Sequence, residues 1–486
     1  MAASGDVDRG TAWIAAATGV LGLLDVVSTI VCLRLWVSTE AFGAATLAVA
    51  LLPLVDRLAG SGLGAALVAE RDPDATTYAS VFWLAVGVAA IVAGVLGVAR
   101  GAVGAVFPDP IVGSLVAALA TRTLVGTLGI VPDARLRRAL RFRAIATVRV
   151  CANVADTAVK LALAVVAAHG APALAVWCFV LGPIANTVSY AIGVQLLSPW
   201  RPVLAFRRAA AVRAARFTAA LSGGELLYHA YTNADYVVVG AWFGDAAVGA
   251  YRLAYELVLD VVKLLSQITA EVAFPAFARL AADRRAAGAL LVRFTRQNLM
   301  VLAPVLAFIA IEADDLLALL YPPLPAAAAV AARVLCGVGG LRALSFVVPP
   351  MLAGLGDARR VLVYNAIAAV VVPSAFVVGV VVAPAAGFVA VAWAWTLAYP
   401  VAFAALLAMA LPRAELSVAA YARAAVGVLR WGAIAAALGA AARLAMPDVA
   451  AARATVVAVV VGGAFAALLA RFEGVTPRGV VRALRE

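Results

Sequence analysis

Apolar stretches long enough to cross a bilayer recur along the whole of this 486-residue chain, and arginines collect in every second gap between them. The clusters are Arg135, Arg137, Arg138, Arg141 and Arg143, then Arg201, Arg207, Arg208, Arg213 and Arg216, then Arg279, Arg284, Arg285, Arg293 and Arg296. The pairs Arg359 with Arg360 and Arg413 with Arg423, and the tail Arg471, Arg478, Arg482 and Arg485, continue the series. The other gaps are short and neutral or acidic, as at Ser38 to Glu40, His169 to Pro172, Gly244 with Asp245, and Glu312 to Asp315; Arg100 alone falls on the wrong side. Loops rich in Lys and Arg stay cytoplasmic. The alternation therefore predicts a multi-pass protein of the cytoplasmic membrane, with an even number of spans and both termini in the cytoplasm.

A span needs roughly 20 mostly apolar residues. Fourteen stretches meet that need, among them Thr11–Val37, Phe42–Val68, Phe217–Phe243, Val248–Phe274, Leu291–Ile311 and Ala451–Ala470. All are expected to be helices, because lipid offers backbone polar groups no other partner. The unbroken apolar runs lack the period-two alternation of a transmembrane barrel. Charged residues make up only 13% of the chain, against about 25% in soluble proteins. The net charge of +12 is divided among inter-span loops. That division excludes a nucleic-acid surface and fits contact with anionic membrane lipids.

Catalytic signatures are absent from the sequence. No Gly-Lys pair exists, so there is no Walker A loop, and His169 and His229 stand far apart with no metalloprotease motif. No GxSxG occurs, and the four cysteines are scattered without a CxxC pair. Each cysteine reads as a small buried hydrophobe, and an enzyme is not indicated. The first ten residues carry Asp6, Asp8 and Arg9 and lack a basic leader, so no cleaved signal is expected.

The halves repeat. A shift of 206 places Trp36 on Trp242, Gly43 on Gly249, Leu47 on Leu253 and Arg57 on Lys263. A second alignment places Arg137, Arg138 and Ile145 on Arg359, Arg360 and Ile367. Each repeat holds an even number of spans, so both share one orientation. Parallel repeats of this kind place a substrate site at their interface near the midplane. The expected division is 1–200 and 201–412 for two six-helix bundles, and 413–486 for two further spans and a basic tail.

Ionisable residues inside spans are costly and mark pathways. Arg149, Asn153, Asp156 and Lys160 fall on one helix face, at i, i+4, i+7 and i+11. Arg252, Glu256, Asp260 and Lys263 form a second stripe, and Glu225 with His229 begins a third, with Asp235 beside it. Asp56 and Arg57 follow Pro53 in the second span, Asp25 and Arg34 lie in the first, and Arg122 lies in the fourth. Two readings stand. Opposite charges neutralise one another along each stripe, as Arg252 with Glu256 and Asp260 with Lys263 would, and Arg34 snorkels to the interface. Alternatively, the stripes line a water-filled cavity. Then Arg57, Arg149, Lys160, Arg252, Lys263, Arg34 and Arg122 are cationic substrate contacts. The groups Asp25, Asp56, Asp156, Glu225, Asp235, Glu256 and Asp260 balance them or bind a coupling cation, H⁺ or Na⁺.

The segments LRRALRFRAIATVR (Leu136 to Arg149), SPWRP (Ser198 to Pro202), NADYVVVGAWFGDAAVGAYRLAYELV (Asn233 to Val258) and FPAFARL (Phe274 to Leu280) resemble the polysaccharide flippases. These are the Wzx-like and colanic-acid-exporter-like branch of a superfamily that also holds multidrug extruders and lipid II flippases. The resemblance runs from Thr11 to Leu411. It implies two six-helix bundles in a V around a central cavity, with cationic residues in that cavity, for which Arg34, Arg57, Arg252 and Lys263 are the candidates. It also implies translocation of an undecaprenyl-pyrophosphate-linked oligosaccharide by alternating access, alongside polysaccharide polymerase machinery. A multidrug or small-cation antiporter of the same fold is the alternative. A membrane glycosyltransferase or polymerase is a third, disfavoured because no outer loop is long.

Overall fold

The computed structural model describes residues 21–474 except Leu23, Ser61 and Asp448, and omits the side chains of Ala220, Leu221, Ile268, Glu271 and Val272. The start of the first expected span, both termini and the arginines beyond 474 lie outside the described residues. Those residues are almost wholly helical, and no strand occurs among them.

Helix α1 covers 24–35. It is followed by α2 (Thr39–Leu58), α3 (Leu63–Ala69), α4 (Ala75–Gly104), α5 (Ile111–Arg138), α6 (Phe142–Ala168) and α7 (Cys178–Leu197). Then come α8 (Arg208–Phe243), α9 (Asp245–Tyr255), a π turn (Glu256–Asp260), α10 (Val261–Arg279) and α11 (Arg284–Leu320). The chain closes with α12 (Ala326–Ser345), α13 (Val348–Gly354), α14 (Ala358–Val382), α15 (Val389–Ala410), α16 (Val418–Leu444) and α17 (Ala450–Phe472). Among the described residues ten helical segments are long and apolar enough to cross a membrane. The expected spans Phe217–Phe243, Val248–Phe274 and Leu291–Ile311 fall within α8, within the run from α9 to α10, and within α11.

Local chemistry explains where helices begin and break. Ser38, Asp74, Asp283 and Ser417 each accept a hydrogen bond from the amide three residues on, capping α2, α4, α11 and α16. The span expected as one helix over Phe42–Val68 is two, α2 and α3, because the chain turns at Gly60 with φ +84°. Only glycine reaches that conformation without cost.

Two compact units emerge, the first ending at Gly249 and the second beginning at Ala250. In the first, Leu63 and Leu67 of α3 pack with Phe82 of α4 and Val131 of α5. In the second, the buried Trp395 of α15 meets Phe376 of α14 and Tyr399 of its own helix, and the Arg342 guanidinium lies 4.8 Å from the Trp395 ring. Helices α16 and α17 pack on α11. They are pinned there by Arg443, which bonds the Ile311 carbonyl at 2.6 Å and the fully buried Glu312 at 3.0 Å. Arg453 grips Asp315 with two bonds of 2.6 and 2.7 Å. Glu312 leaves the helical conformation (φ −102°, ψ 15°), so α11 kinks where these arginines engage it.

Candidate functional site

The intramembrane charges gather into three clusters. The first is built from Asp56 and Arg57. Consecutive residues on a helix point about 100° apart, so the two meet different neighbours. Asp56 pairs with Arg122 of α5 at 2.9 Å, and Arg122 Nε donates to Thr187 Oγ1 of α7 at 2.6 Å. Arg57 pairs with Glu225 of α8 at 2.5 Å. One short segment of α2 thus binds two other helices through charge, and Arg122 extends the first link to α7 through the Thr187 hydroxyl.

Arg57 also lines a cavity of about 360 Å³ within the first unit. Leu58, Leu63 and Leu84 form its apolar wall, and Thr218 and Ser222 of α8 supply hydroxyls. Those two hydroxyl oxygens are buried and accept or donate no hydrogen bond among the described residues. Thr218, Ser222 and Glu225 fall at i, i+4 and i+7, so this polar face was legible as a pattern; without a charge, its first two members gave no signal. The cavity can take an amphiphile: a cation and two idle hydroxyls beside an apolar wall.

The second cluster joins α1, α6 and α7. Lys160 is buried and bridges to Asp25 at 3.3 Å, with Ser28 Oγ also 3.3 Å away. One turn earlier on α6, Asp156 is buried with its Oδ1 unpartnered among the described residues. A Cβ on Gly182 of α7 would come within 2.2 Å of that oxygen, so only glycine leaves it room. Two carboxylates around one ammonium suit uptake and release of a small cation.

The third cluster corrects the expected pairing of Asp260 with Lys263. Arg252 takes both acids, Glu256 at 2.7 Å and Asp260 at 3.1 Å. The π turn over Glu256–Asp260 is the cause. In an unbroken α-helix Asp260 would stand about 80° from Arg252. A π turn absorbs one residue and brings it to within about 20°. The same shift carries Lys263 off the stripe. Lys263 is exposed and has no ion pair among the described residues.

The remaining candidates stay outside these clusters. Arg149 is half-buried without an ion pair or hydrogen bond among the described residues, and Arg34 is exposed. Asp235 is fully buried and accepts from the Tyr236 amide at 3.0 Å. Among the described residues no group of three or more His, Cys, Asp or Glu is placed to hold a metal.

Comparisons with known proteins fit this architecture. A family model described as "Polysaccharide biosynthesis protein" matches residues 33–322. The lipopolysaccharide biosynthesis protein WzxC of Escherichia coli (strain K12) is 26% identical over 56% of this chain and 55% of its own length. The succinoglycan biosynthesis transport protein ExoT of Rhizobium meliloti (strain 1021) is 23% identical over 62% of this chain and 59% of its own. The chain thus spans little more than half the length of these relatives. Among solved structures, the lipid II flippase MurJ in an inward closed conformation superposes with TM-score 0.72 at 12% identity, covering 94% of this chain and 98% of MurJ. An inward-facing multidrug resistance MATE family transporter superposes with TM-score 0.64 at 15% identity, covering 81% of this chain and 94% of that one. At such identities these likenesses establish a shared fold.

Proposed function

We propose that this chain, which belongs to the polysaccharide biosynthesis protein family, is a flippase that carries a lipid-linked oligosaccharide across the cytoplasmic membrane by alternating access. It is a transporter and not an enzyme. The observation that carries the reading is the Arg57 cavity. It offers the complement of a polyprenyl pyrophosphate, a guanidinium beside an apolar wall, and its hydroxyls stand ready for phosphate oxygens. Lys263, which matches Arg57 under the 206-residue shift, is a second cation and, unlike Arg57, has no ion pair among the described residues. We assign the Asp25, Asp156 and Lys160 cluster to a coupling cation, H⁺ or Na⁺. Surface-polysaccharide polymerase machinery is the expected downstream partner. The arginine loops and both termini are assigned to the cytoplasmic side.

Deletion in the native host provides the test. The expected outcome is loss of surface glycan with lipid-linked oligosaccharide building up in the inner leaflet, restored by the wild-type chain and not by Arg57→Ala at equal abundance. Intact glycan together with new drug sensitivity would transfer the chain to the antiporter reading. Sidedness is read separately, with single cysteines at Arg208 and Gly170. Only the Gly170 site should react with an impermeant thiol reagent from outside.

A further inference from the structure

Three guanidinium groups surround a second cavity, of about 480 Å³, in the second unit. Arg296 of α11 and Arg423 and Arg430 of α16 line it, with Glu473 just past α17. Glu473 takes Arg296 at 2.6 Å and Arg430 at 3.4 Å, and accepts from Trp431 Nε1 at 3.1 Å. Burial opposes its charge, but the Trp431 and Arg296 hydrogen bonds outweigh that and hold its carboxyl below the usual range. One ionised carboxylate among three guanidinium groups leaves two positive charges uncompensated in the lining. Arg423 is the clearest case, since its Nε donates only to the Ala419 carbonyl of its own helix, at 3.2 Å.

Val426 is the apolar part of the lining, and aromatic rings adjoin it as chain neighbours of Arg430 and Glu473. Val426 is 59% exposed and Phe472 58%. Trp431 stacks on Phe472 at 4.6 Å, the Arg430 guanidinium lies 4.4 Å from the Trp431 ring, and Arg471 lies 5.5 Å from the Phe472 ring. Trp is enriched at the headgroup level of a membrane, and arginines at helix ends reach that level. Basic pockets between membrane helices at that level recognise anionic headgroups.

We propose that this cavity is a binding site for an anionic phospholipid. Its phosphodiester sits among Arg296, Arg423 and Arg430, and its acyl chains cover Val426 and Phe472. A free phosphate would leave those apolar groups in water. A zwitterionic headgroup would bring its own cation into a site that already has an excess. The site joins α16 and α17, beyond the duplicated part of the chain, to Arg296 of α11, and shares no lining residue with the Arg57 cavity, so its test is separate from that of the transport reading.

The test uses the full chain in detergent, titrated with phosphatidylglycerol and followed by native mass spectrometry. A single retained phosphatidylglycerol is expected, with phosphatidylcholine of the same chains held far more weakly. Arg423→Gln should lower the affinity about five-fold, and Arg423→Gln with Arg430→Gln about 25-fold, because each basic side chain near the surface contributes ~1 kcal/mol. Arg423 breaks no ion pair when replaced, so that variant folds and keeps the experiment readable. Unchanged retention by Arg423→Gln, equal binding of phosphatidylcholine, or displacement by inorganic phosphate alone would each overturn the proposal. Displacement by undecaprenyl phosphate at equal concentration would overturn it too, and make the cavity a substrate-loading site.

Discussion

Gly43 and Gly249, residues 206 apart in sequence, lie against each other where α2 crosses the first turns of α9, and their contact is reciprocal. A Cβ on Gly43 would fall 1.8 Å from the Asp245 carbonyl oxygen, and one on Gly249 would fall 2.1 Å from that of Thr39. Thr39 and Asp245 are separated by the same 206 residues. The repeated glycine therefore serves one purpose twice, letting two backbones touch.

Gly43→Ala should destabilise the protein by about 1–3 kcal/mol, the usual cost of overpacking. Gly249→Ala should do the same, because the contact is mutual. Gly87→Ala and Gly94→Ala are the controls, since nothing lies within 4 Å of a Cβ at either. Thermal unfolding followed by fluorescence-detected size exclusion separates the two groups, and equal melting points for all four variants would contradict the crossing.

The Arg57–Glu225 pair has side chains 28% and 45% exposed, so its loss should cost only about 0.2–1 kcal/mol. Arg57→Ala is expected to leave abundance near normal while surface glycan disappears. If the charge swap Arg57→Glu with Glu225→Arg restores glycan, the pair is structural and the phosphate assignment fails.

Arg252 answers to two carboxylates. Arg252→Ala strands both and should lower stability by about 1–3 kcal/mol. Lys263→Ala strands none and should leave abundance unchanged. The contrast tests the π turn: if it were absent, Lys263→Ala would also expose an unpaired Asp260. Immunoblotting of membranes at matched expression distinguishes these outcomes.

Arg443 compensates a carboxylate that is completely buried. Arg443→Ala should cost about 3–5 kcal/mol and loosen α16 and α17 from α11. Adding Glu312→Gln removes the stranded charge and should recover part of the loss. Limited proteolysis between α15 and α16 reports the loosening.

Asp245 lies in the gap between two spans, 7% exposed. Burial first, then the charges of Asp109 and Glu40, push its carboxyl up from an ordinary 3.8 to about 6. Folding thus favours the protonated form. The associated stability is fully present below the ordinary value and is lost as pH rises through about 6. Asp245→Asn should therefore match the wild type at pH 4 and exceed it at pH 8, by an amount on the order of 3 kcal/mol at most. A melting-point difference that stays constant across that range would contradict the shift.

The sequence alone determined the membrane class, the helical architecture, the family and the charged face of each stripe. These depend on local quantities: apolar run length, the 3.6-residue period and the positions of arginines between runs. Asp156 with Lys160 and Arg252 with Glu256 were legible for that reason, each pair being one turn apart. Tertiary structure alone decided who meets whom across helices. Arg57 could not be assigned to Glu225, nor Lys160 to Asp25, because 168 and 135 residues separate them and any acid on any neighbouring helix satisfies the same pattern. The Asp260 exchange from Lys263 to Arg252 was hidden for a different reason. One extra residue in a π turn rotates everything after it, and packing around the helix, more than its own composition, determines whether that turn forms. The three-arginine cavity was hidden as well, since Arg296, Arg430 and Glu473 become neighbours only when α16 and α17 fold back onto α11.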